Sequence, residues 1–225
     1  MFIEESMRIN LYKLHILFLP WFCIQLFGQG RFIPRMYIEA GTGVNLAYFD
    51  VGGGIPGISA QGGVLYDLAA NWRLGANIGI HRARGTDAGT SDDSRGYEFR
   101  SNINEICAKG VYVIRFKPYP IKKWKTKWEP RIYACLGLLQ FQPKPNVLLA
   151  SQGNGDYLTV APFFSGGLGI AYYLGRDLSL LFEGGGNTST SDYLEGFADT
   201  ENSSIPDIYF TMILKFIYKI PKVWQ

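Results

Sequence analysis

Apolar and polar residues alternate along the C-terminal stretch of the chain. From Ile208 to Ile220 every second residue is apolar, and the residues between them include Lys215 and Lys219. A repeat of two residues is typical of a β-strand, because successive side chains of a strand point to opposite faces. One face of this strand is apolar enough for lipid and the other carries ammonium groups. That combination is the pattern of a transmembrane barrel strand.

The same alternation predicts seven further strands. The segment from Trp72 to Ile80 is the clearest of the early ones, with Leu74, Ala76 and Ile78 on its apolar face. The eight predicted strands cover residues 36–48, 58–68, 72–80, 99–116, 130–141, 160–174, 178–190 and 208–220. The count is even, as in bacterial outer-membrane barrels. We therefore expect an all-β fold, an eight-stranded antiparallel transmembrane β-barrel.

The predicted connections fall into two length classes. Residues 69–71 and 175–177 are short turns, whereas residues 85–96, 143–158 and 191–207 are long and polar. Outer-membrane barrels have short periplasmic turns and longer extracellular loops, and we expect that arrangement here. Residues 117–128 are the exception, because they form a long segment on the short-turn side.

Almost all charged residues of the predicted strands fall on the faces that the alternation turns inward. By parity this inward set is Glu39, Asp67, Arg73, Glu105, Lys109, Arg115, Arg131, Glu183, Lys215 and Lys219. A soluble lipocalin-type barrel is the alternative, but it would turn its apolar face inward around a ligand and its polar face to water.

Eight strands leave an interior just wide enough for side chains. We therefore expect paired charges to fill the lumen, with Glu183 near Lys215 and Arg73 diagonal to Glu105. A narrow conducting pore is the alternative.

The N-terminal region has the composition of a secretory signal. Arg8 and Lys13 precede a nearly continuous apolar run from Leu14 to Phe27, and a small residue, Gly28, follows it. This order predicts a signal peptide over residues 1–28 and a barrel over residues 29–225. A transmembrane helix is the alternative, but the run is short for a bilayer and Pro20 interrupts it.

Composition and motifs offer no catalytic or cofactor site. A net charge of +3 is too small to indicate nucleic acid. His81 is the one histidine after residue 28, so we expect no histidine-based triad or metal site, and we expect His81 to be solvated near a loop. Asp87, Asp92 and Asp93 lack the spacing of a calcium loop. We expect no enzymatic activity, no cofactor, no metal and no small-molecule substrate.

Cys107 and Cys135 are the two cysteines after residue 28. A hairpin centred near Ile121 places them opposite one another on the same face. Export would bring them to a compartment that permits disulfides. We expect two free, buried thiols, and a cross-strand disulfide is the alternative.

The connection between the fourth and fifth predicted strands is basic and aromatic. This basic connection, residues 117–128, contains Lys117, Lys122, Lys123, Trp124, Lys125, Lys127 and Trp128. One interpretation is an interfacial anchor, with tryptophans at the lipid headgroups and lysines on phosphates. The other is a docking surface for a periplasmic protein.

Several motifs in order resemble a known family. They are YDLAANWRLG (66–75), EFRSNINEICAKGVY (98–112), EPRIYACLGLLQFQPKP (129–145), the glycine-rich residues 166–169, and SDYLEGFAD (191–199) before DIYF (207–210). Together they resemble the PorG-type family of small outer-membrane barrels associated with the type IX secretion system, a group of OmpX/OmpA-like architecture.

The resemblance implies a non-enzymatic barrel in the outer membrane that contacts outer-membrane lipid and periplasmic ring proteins of the secretion machinery. A small porin-like or surface-binding barrel without a secretion role is the alternative.

Overall fold

A computed structural model describes residues 35–48, 53–89, 94, 96–115, 127–146, 159–191, 194 and 207–220. The strands are β1 (Met36–Tyr48), β2 (Gly53–Ile55), β3 (Gly57–Asp67), β4 (Trp72–Thr86), β5 (Glu98–Val113), β6 (Trp128–Pro145), β7 (Thr159–Tyr173), β8 (Leu178–Ser189) and β9 (Ile208–Ile220). No helix in these ranges is long and apolar enough to cross a membrane.

The strands close into an antiparallel barrel of eight long strands. Each long strand pairs with its sequence neighbour, and β1 also pairs with β9, which closes the ring. The short β2 pairs with the C-terminal end of β4 and so continues the position of β3 in the barrel wall. Pro56 lies between β2 and β3, where its missing N–H group cannot join a ladder. The predicted fold class, an eight-stranded antiparallel barrel, is confirmed.

Side chains alternate between a packed interior and an exposed outer wall. On β9, Lys215 is fully buried, whereas its neighbours Leu214 and Phe216 are 47% and 57% exposed. In a water-soluble barrel these apolar groups would pack inside, because burial of apolar surface drives folding. Their exposure matches a wall that faces lipid and excludes the lipocalin-type alternative.

The two ends of the barrel differ in their connections. Residues 68–71 and 174–177 are short turns at one end, which we call the turn end, and residues 114–127 also connect strands there. Residues 49–52, 87–97, 146–158 and 190–207 join strands at the other end, which we call the loop end. Only part of these loop-end segments lies within the described residues.

Aromatic ring pairs occupy both ends of the outer wall. The ring centres are 5.0 Å apart for Trp72–Tyr112 and 4.6 Å apart for Trp128–Tyr172 at the turn end, and 5.7 Å apart for Tyr48–Phe210 at the loop end. Aromatic residues concentrate where a bilayer meets water. These aromatic pairs therefore lie at both edges of the apolar outer wall.

Strands β4 and β6 reach further toward the loop end than their apolar pattern predicts. The pattern ends at Ile80 and Phe141, whereas the strands continue to Thr86 and Pro145. The extra residues pair with β5, for example Arg84 with Arg100. Backbone hydrogen bonds do not depend on side-chain polarity, so a ladder can continue above the membrane after the apolar face has ended.

Candidate functional site

The inward-facing charges form a layered network inside the barrel. At the middle level, Lys109 Nζ lies 2.6 Å from Glu39 Oε1 and 2.9 Å from Glu183 Oε2. Lys215 Nζ lies 2.6 Å from Glu183 Oε1 and 3.6 Å from Glu39 Oε1. We call these four residues the central quartet. It contains two carboxylates and two ammonium groups, and all four residues are at most 3% exposed.

The barrel geometry explains why these four side chains meet. Lys109 is on β5, which is not adjacent to β1, β8 or β9, the strands that carry its partners. Its long side chain therefore crosses the lumen. The predicted pair of Glu183 and Lys215 is present, with the two residues offset by two positions along the β8–β9 ladder.

A second cluster fills the turn end of the lumen. Arg73 donates to Asp67 at 3.1 Å and forms a two-pronged contact with Glu129 at 2.8 and 3.1 Å. Arg131 donates at 2.8 Å to Glu129 Oε1, which also accepts from Arg73 Nη1. The Tyr173 hydroxyl donates to the other carboxylate oxygen, Glu129 Oε2. Two-pronged arginine–carboxylate pairs are among the stronger hydrogen bonds. We call these five residues the turn-end cluster.

The turn-end cluster corrects one expected pair and adds a missed residue. Arg73 pairs with Asp67 and Glu129, not with Glu105, because the β4–β5 register places Val111 opposite Arg73 and Gly79 opposite Glu105. Glu129 was missed because the predicted strand began one residue after it. Its parity with Arg131, two residues later, is the signal that would have placed it inside.

A third cluster lies nearer the loop end and contains His81. The His81 Nδ1 atom is 2.8 Å from Ser59 Oγ, and its Nε2 atom is 3.2 Å from Glu105 Oε2. Glu105 also accepts from Gln61 at 2.9 Å and from Tyr209 at 3.2 Å. The expectation that His81 is solvated is wrong, because the residue is 0% exposed. It lies in the middle of a strand that is longer than predicted.

Ser59, His81 and Glu105 have the residue types of a catalytic triad but not its setting. A nucleophilic serine must meet a substrate carbonyl. Ser59 is 0% exposed, and its hydroxyl already interacts with His81 and accepts from Asn45 Nδ2 at 3.1 Å. The packed interior leaves no approach to this hydroxyl, so the geometry assigns the cluster a packing role.

Two glycines make room for this network. A Cβ atom on Gly185 would lie 2.9 Å from Tyr133 Cζ, and one on Gly79 would lie 2.6 Å from Glu105 Cγ. Tyr133 in turn stacks against Lys109, whose Nζ is 5.0 Å from the ring centre. Gly185, the middle residue of the glycine run at 184–186, therefore serves close packing inside the barrel.

The remaining predicted residues lie outside the buried layers. Parity predicted that Arg115 points into the barrel. Arg115 instead follows the end of β5 and is exposed, so it lies outside the interior. The alternation cannot carry it inward once the strand has ended at Val113. Lys219 is partly exposed at the turn end, where it pairs with Asp177 at 2.8 Å.

Only part of the basic connection lies within the described residues. Lys127 and Trp128 are described, and Lys127 Nζ is 5.9 Å from the Tyr172 ring centre. Lys117, Lys122, Lys123, Trp124 and Lys125 lie outside the described residues, as do the predicted signal peptide and Asp92 and Asp93. The described part of the chain contains no group of three or more candidate metal ligands.

Cys107 and Cys135 are free and buried in the structure, as expected. They are not directly opposite, however. Cys107 faces Gly137 and Cys135 faces Lys109 across the β5–β6 ladder. The two cysteines are therefore diagonal neighbours on the inward face.

A small cavity opens at the turn end. It has a volume of about 300 Å³, and its lining includes Arg35, Tyr37, Arg73, Arg115, Glu129 and Tyr173. Three of these side chains are cationic and one is anionic. The mouth of the barrel at this end is therefore basic, with aromatic rings among the charges.

The buried layers lead to a prediction about conduction. Lys109, Lys215 and Arg131 are at most 2% exposed, so water does not reach them through the described interior. We expect no ion conductance steps when the purified barrel is inserted into planar lipid bilayers, because an ion would have to displace paired charges. A porin of known conductance in the same bilayers is the positive control. Reproducible single-channel steps would contradict a filled lumen.

Comparisons with known proteins agree with the fold. No protein-family model matches the chain, and no curated protein sequence matches it. Among solved structures, the chain is similar to Neisserial surface protein A (NspA), with a TM-score of 0.52 and 13% identity over 82% of this chain and 97% of that one.

Two further solved structures are more distant. Ail, the attachment invasion locus protein of Yersinia pestis, gives a TM-score of 0.47 and 12% identity over 84% of this chain and 100% of that one. A major outer membrane protein from Thermus thermophilus gives a TM-score of 0.43 and 15% identity over the same shares. At 13% identity, the likeness to NspA establishes a shared small-barrel fold.

Proposed function

We propose that this protein is a non-catalytic outer-membrane barrel that anchors a periplasmic protein partner at its turn end. The observation that carries the proposal is the filled lumen. Paired charges and packed aromatic rings occupy the interior from the turn-end cluster to His81. A barrel without an open channel acts through its surfaces, so the two rims and the wall are where partners would bind.

The lengths of the connections support the orientation. Short turns lie on the periplasmic side of outer-membrane barrels and long loops lie outside. Residues 68–71 and 174–177 fit short periplasmic turns. Residues 114–127 are the long connection at that end, and they supply more residues for partner contacts than a turn of four residues does.

The chemistry of the turn end supports a protein partner with acidic groups. Arg35 and Arg115 line the mouth of the barrel. Lys127 and Trp128 lie beside them at the start of β6. The sequence adds four more lysines between residues 117 and 125. Arginine and aromatic residues are enriched at protein interfaces, and a cationic surface speeds association with an anionic one.

The resemblance to PorG-type barrels suggests which partner to test first. It favours a periplasmic ring component of the type IX secretion machinery. The motifs that carry the resemblance include EPRIYACLGLLQFQPKP, which begins at the inner edge of the basic connection. The proposal is thus an anchor for secretion machinery, and a membrane-interface role for the same lysines is the competing outcome.

The test is capture of periplasmic proteins from native outer membranes. Lys117, Lys122, Lys123, Lys125 and Lys127 are all replaced by serine in one variant and by arginine in a control that keeps the charge. We expect the amount of crosslinked periplasmic partner to fall at least about tenfold in the serine variant, because the attraction depends on charge. The arginine control should capture as much partner as the wild-type barrel.

The identity of the captured protein is determined by mass spectrometry. Equal capture by the serine variant and the wild-type barrel would contradict docking at this surface. Loss of membrane retention together with unchanged capture would assign the lysines to lipid instead.

A further inference from the structure

The outward-facing charges of the described strands all lie on one side of the barrel at the loop end. They are Arg82, Arg84, Glu98, Arg100 and Lys144, on β4, β5 and β6. The outward positions of β1, β3, β7, β8 and β9 carry none within the described residues. Four of the five charges are positive. The outer wall therefore has one localised cationic face above its apolar band.

The strand register places three of these cations side by side. Arg84 is directly opposite Arg100, and Arg100 is directly opposite Lys144. We call these three residues the cationic row. Directly opposite residues have Cβ atoms about 5 Å apart, and like charges in that position destabilise a sheet. All three side chains are exposed, and none forms an ion pair with another described residue.

The polarity of the wall changes in steps below the cationic row. Taken across β4, β5 and β6, the outward residues are Ile78, Ile106 and Leu138, then Ile80, Asn104 and Gln140, then Arg82, Asn102 and Gln142, and finally Arg84, Arg100 and Lys144. The change runs from apolar through amide to cationic. This sequence matches the change from acyl chains to headgroups in a bilayer leaflet.

Distances along β4 place the cationic row at headgroup height. Arg84 is twelve residues above Trp72, which belongs to the turn-end aromatic pairs. At about 3.4 Å per residue and a tilt of about 40°, that separation is roughly 31 Å along the membrane normal. The apolar band of such barrels is about 25 Å tall, so the cationic row lies roughly 6 Å beyond the acyl chains.

A shallow cavity accompanies the cationic row. It has a volume of about 450 Å³, and its lining includes Ile55, Arg84, Glu98, Arg100, Lys144 and Asn146. Three of these side chains are cationic and Glu98 is the one carboxylate among the lining residues. Ile55 adds an exposed apolar group beside the cations. A site with adjacent cations and an apolar edge suits a phosphorylated group that is attached to acyl chains.

We infer that the cationic row binds the phosphate groups of an anionic lipid in the leaflet at the loop end, which is the outer leaflet in the proposed orientation. The row is continuous with the lipid-facing wall and its side chains share the outward parity of that wall. Bound lipid phosphates would neutralise the three cations, which share the cavity lining with one carboxylate, Glu98.

The experiment measures lipid binding by the folded barrel in a zwitterionic detergent, using native mass spectrometry. The probe is a bis-phosphorylated lipid A, and the comparison probes are the same lipid without phosphates and soluble inositol hexakisphosphate. The test variant is Arg100→Gln with Lys144→Gln. The control variant is Arg176→Gln with Lys219→Gln, which removes the same charge at the turn end.

We expect the test variant to bind lipid A about thirtyfold more weakly than the wild-type barrel, since each cation near a membrane surface contributes about fivefold. The control variant should bind as the wild-type barrel does. The dephosphorylated lipid and inositol hexakisphosphate should both bind more weakly than lipid A.

Equal binding of lipid A by the test variant and the wild-type barrel would overturn the inference. Equal binding of the dephosphorylated lipid would also overturn it, because acyl chains alone would then suffice. Tighter binding of inositol hexakisphosphate would assign the row to a soluble polyanion instead.

A stability measurement guards against misfolding of the test variant. In lipid-free zwitterionic detergent the test variant should unfold at the same or a higher urea concentration than the wild-type barrel, because like-charge repulsion is removed. A lower midpoint would show that the row stabilises the barrel without lipid and would overturn the inference.

Discussion

Replacement of Glu183 by glutamine should destabilise the barrel by about 3–5 kcal/mol, because it leaves two buried ammonium groups to share one carboxylate. Glu183 contacts both Lys109 and Lys215, and Lys215 lies 3.6 Å from the one remaining carboxylate, Glu39. The free energy of unfolding is measured by urea titration of the protein in lipid vesicles, with tryptophan fluorescence as the signal.

A second substitution distinguishes loss of charge balance from loss of packing. The double variant Glu183→Gln with Lys215→Met restores neutrality, since Glu39 and Lys109 remain paired at 2.6 Å. We expect the double variant to be more stable than Glu183→Gln alone, because a neutral group of similar volume replaces the unpaired cation. Destabilisation of the double variant by the sum of the two single effects would contradict a charge-balanced quartet.

Replacement of Leu214 by arginine should cost about 2–4 kcal/mol in lipid vesicles, because a cation would face the acyl chains near the midplane. Leu214 is 47% exposed on the outer wall. It lies midway along β9, between Phe210 near the loop end and Tyr218 near the turn end. The measurement is the same vesicle titration.

The matched control for this prediction is Gln142→Arg. Gln142 has the same outward orientation but lies at the polar level of β6, opposite Asn102. Near the interface the cost of arginine falls to about 0–1 kcal/mol. If Leu214→Arg were as mild as the control, the outer wall would face water and the membrane assignment would be wrong.

The alternation of residue types was sufficient to predict the eight long strands and which face of each strand points inward. On β9 the sequence pattern and the burial pattern agree at every position from Tyr209 to Tyr218. The reason is local, since a strand has a period of two and lipid accepts only apolar groups. The same reasoning separated the inward lysines from the lipid-facing leucines without knowledge of any partner strand.

Partner choice inside the barrel was harder to predict. The pair of Glu183 and Lys215 was found because both residues are on one hairpin with a short reach between them. Arg73 was assigned to Glu105 and instead pairs with Asp67 and Glu129. Lys109 joins carboxylates from strands that are distant around the ring. Such contacts depend on barrel closure, which no single hairpin determines.

The sequence by itself therefore determined an eight-stranded membrane barrel, because each strand carries its own apolar face. Only the tertiary structure decided which charges meet, that His81 is buried between Ser59 and Glu105, and that Arg84, Arg100 and Lys144 form one row. Those facts depend on the register between strands and on ring closure. Both are set by many weak backbone and packing contacts summed around the barrel, and residue periodicity does not encode that sum.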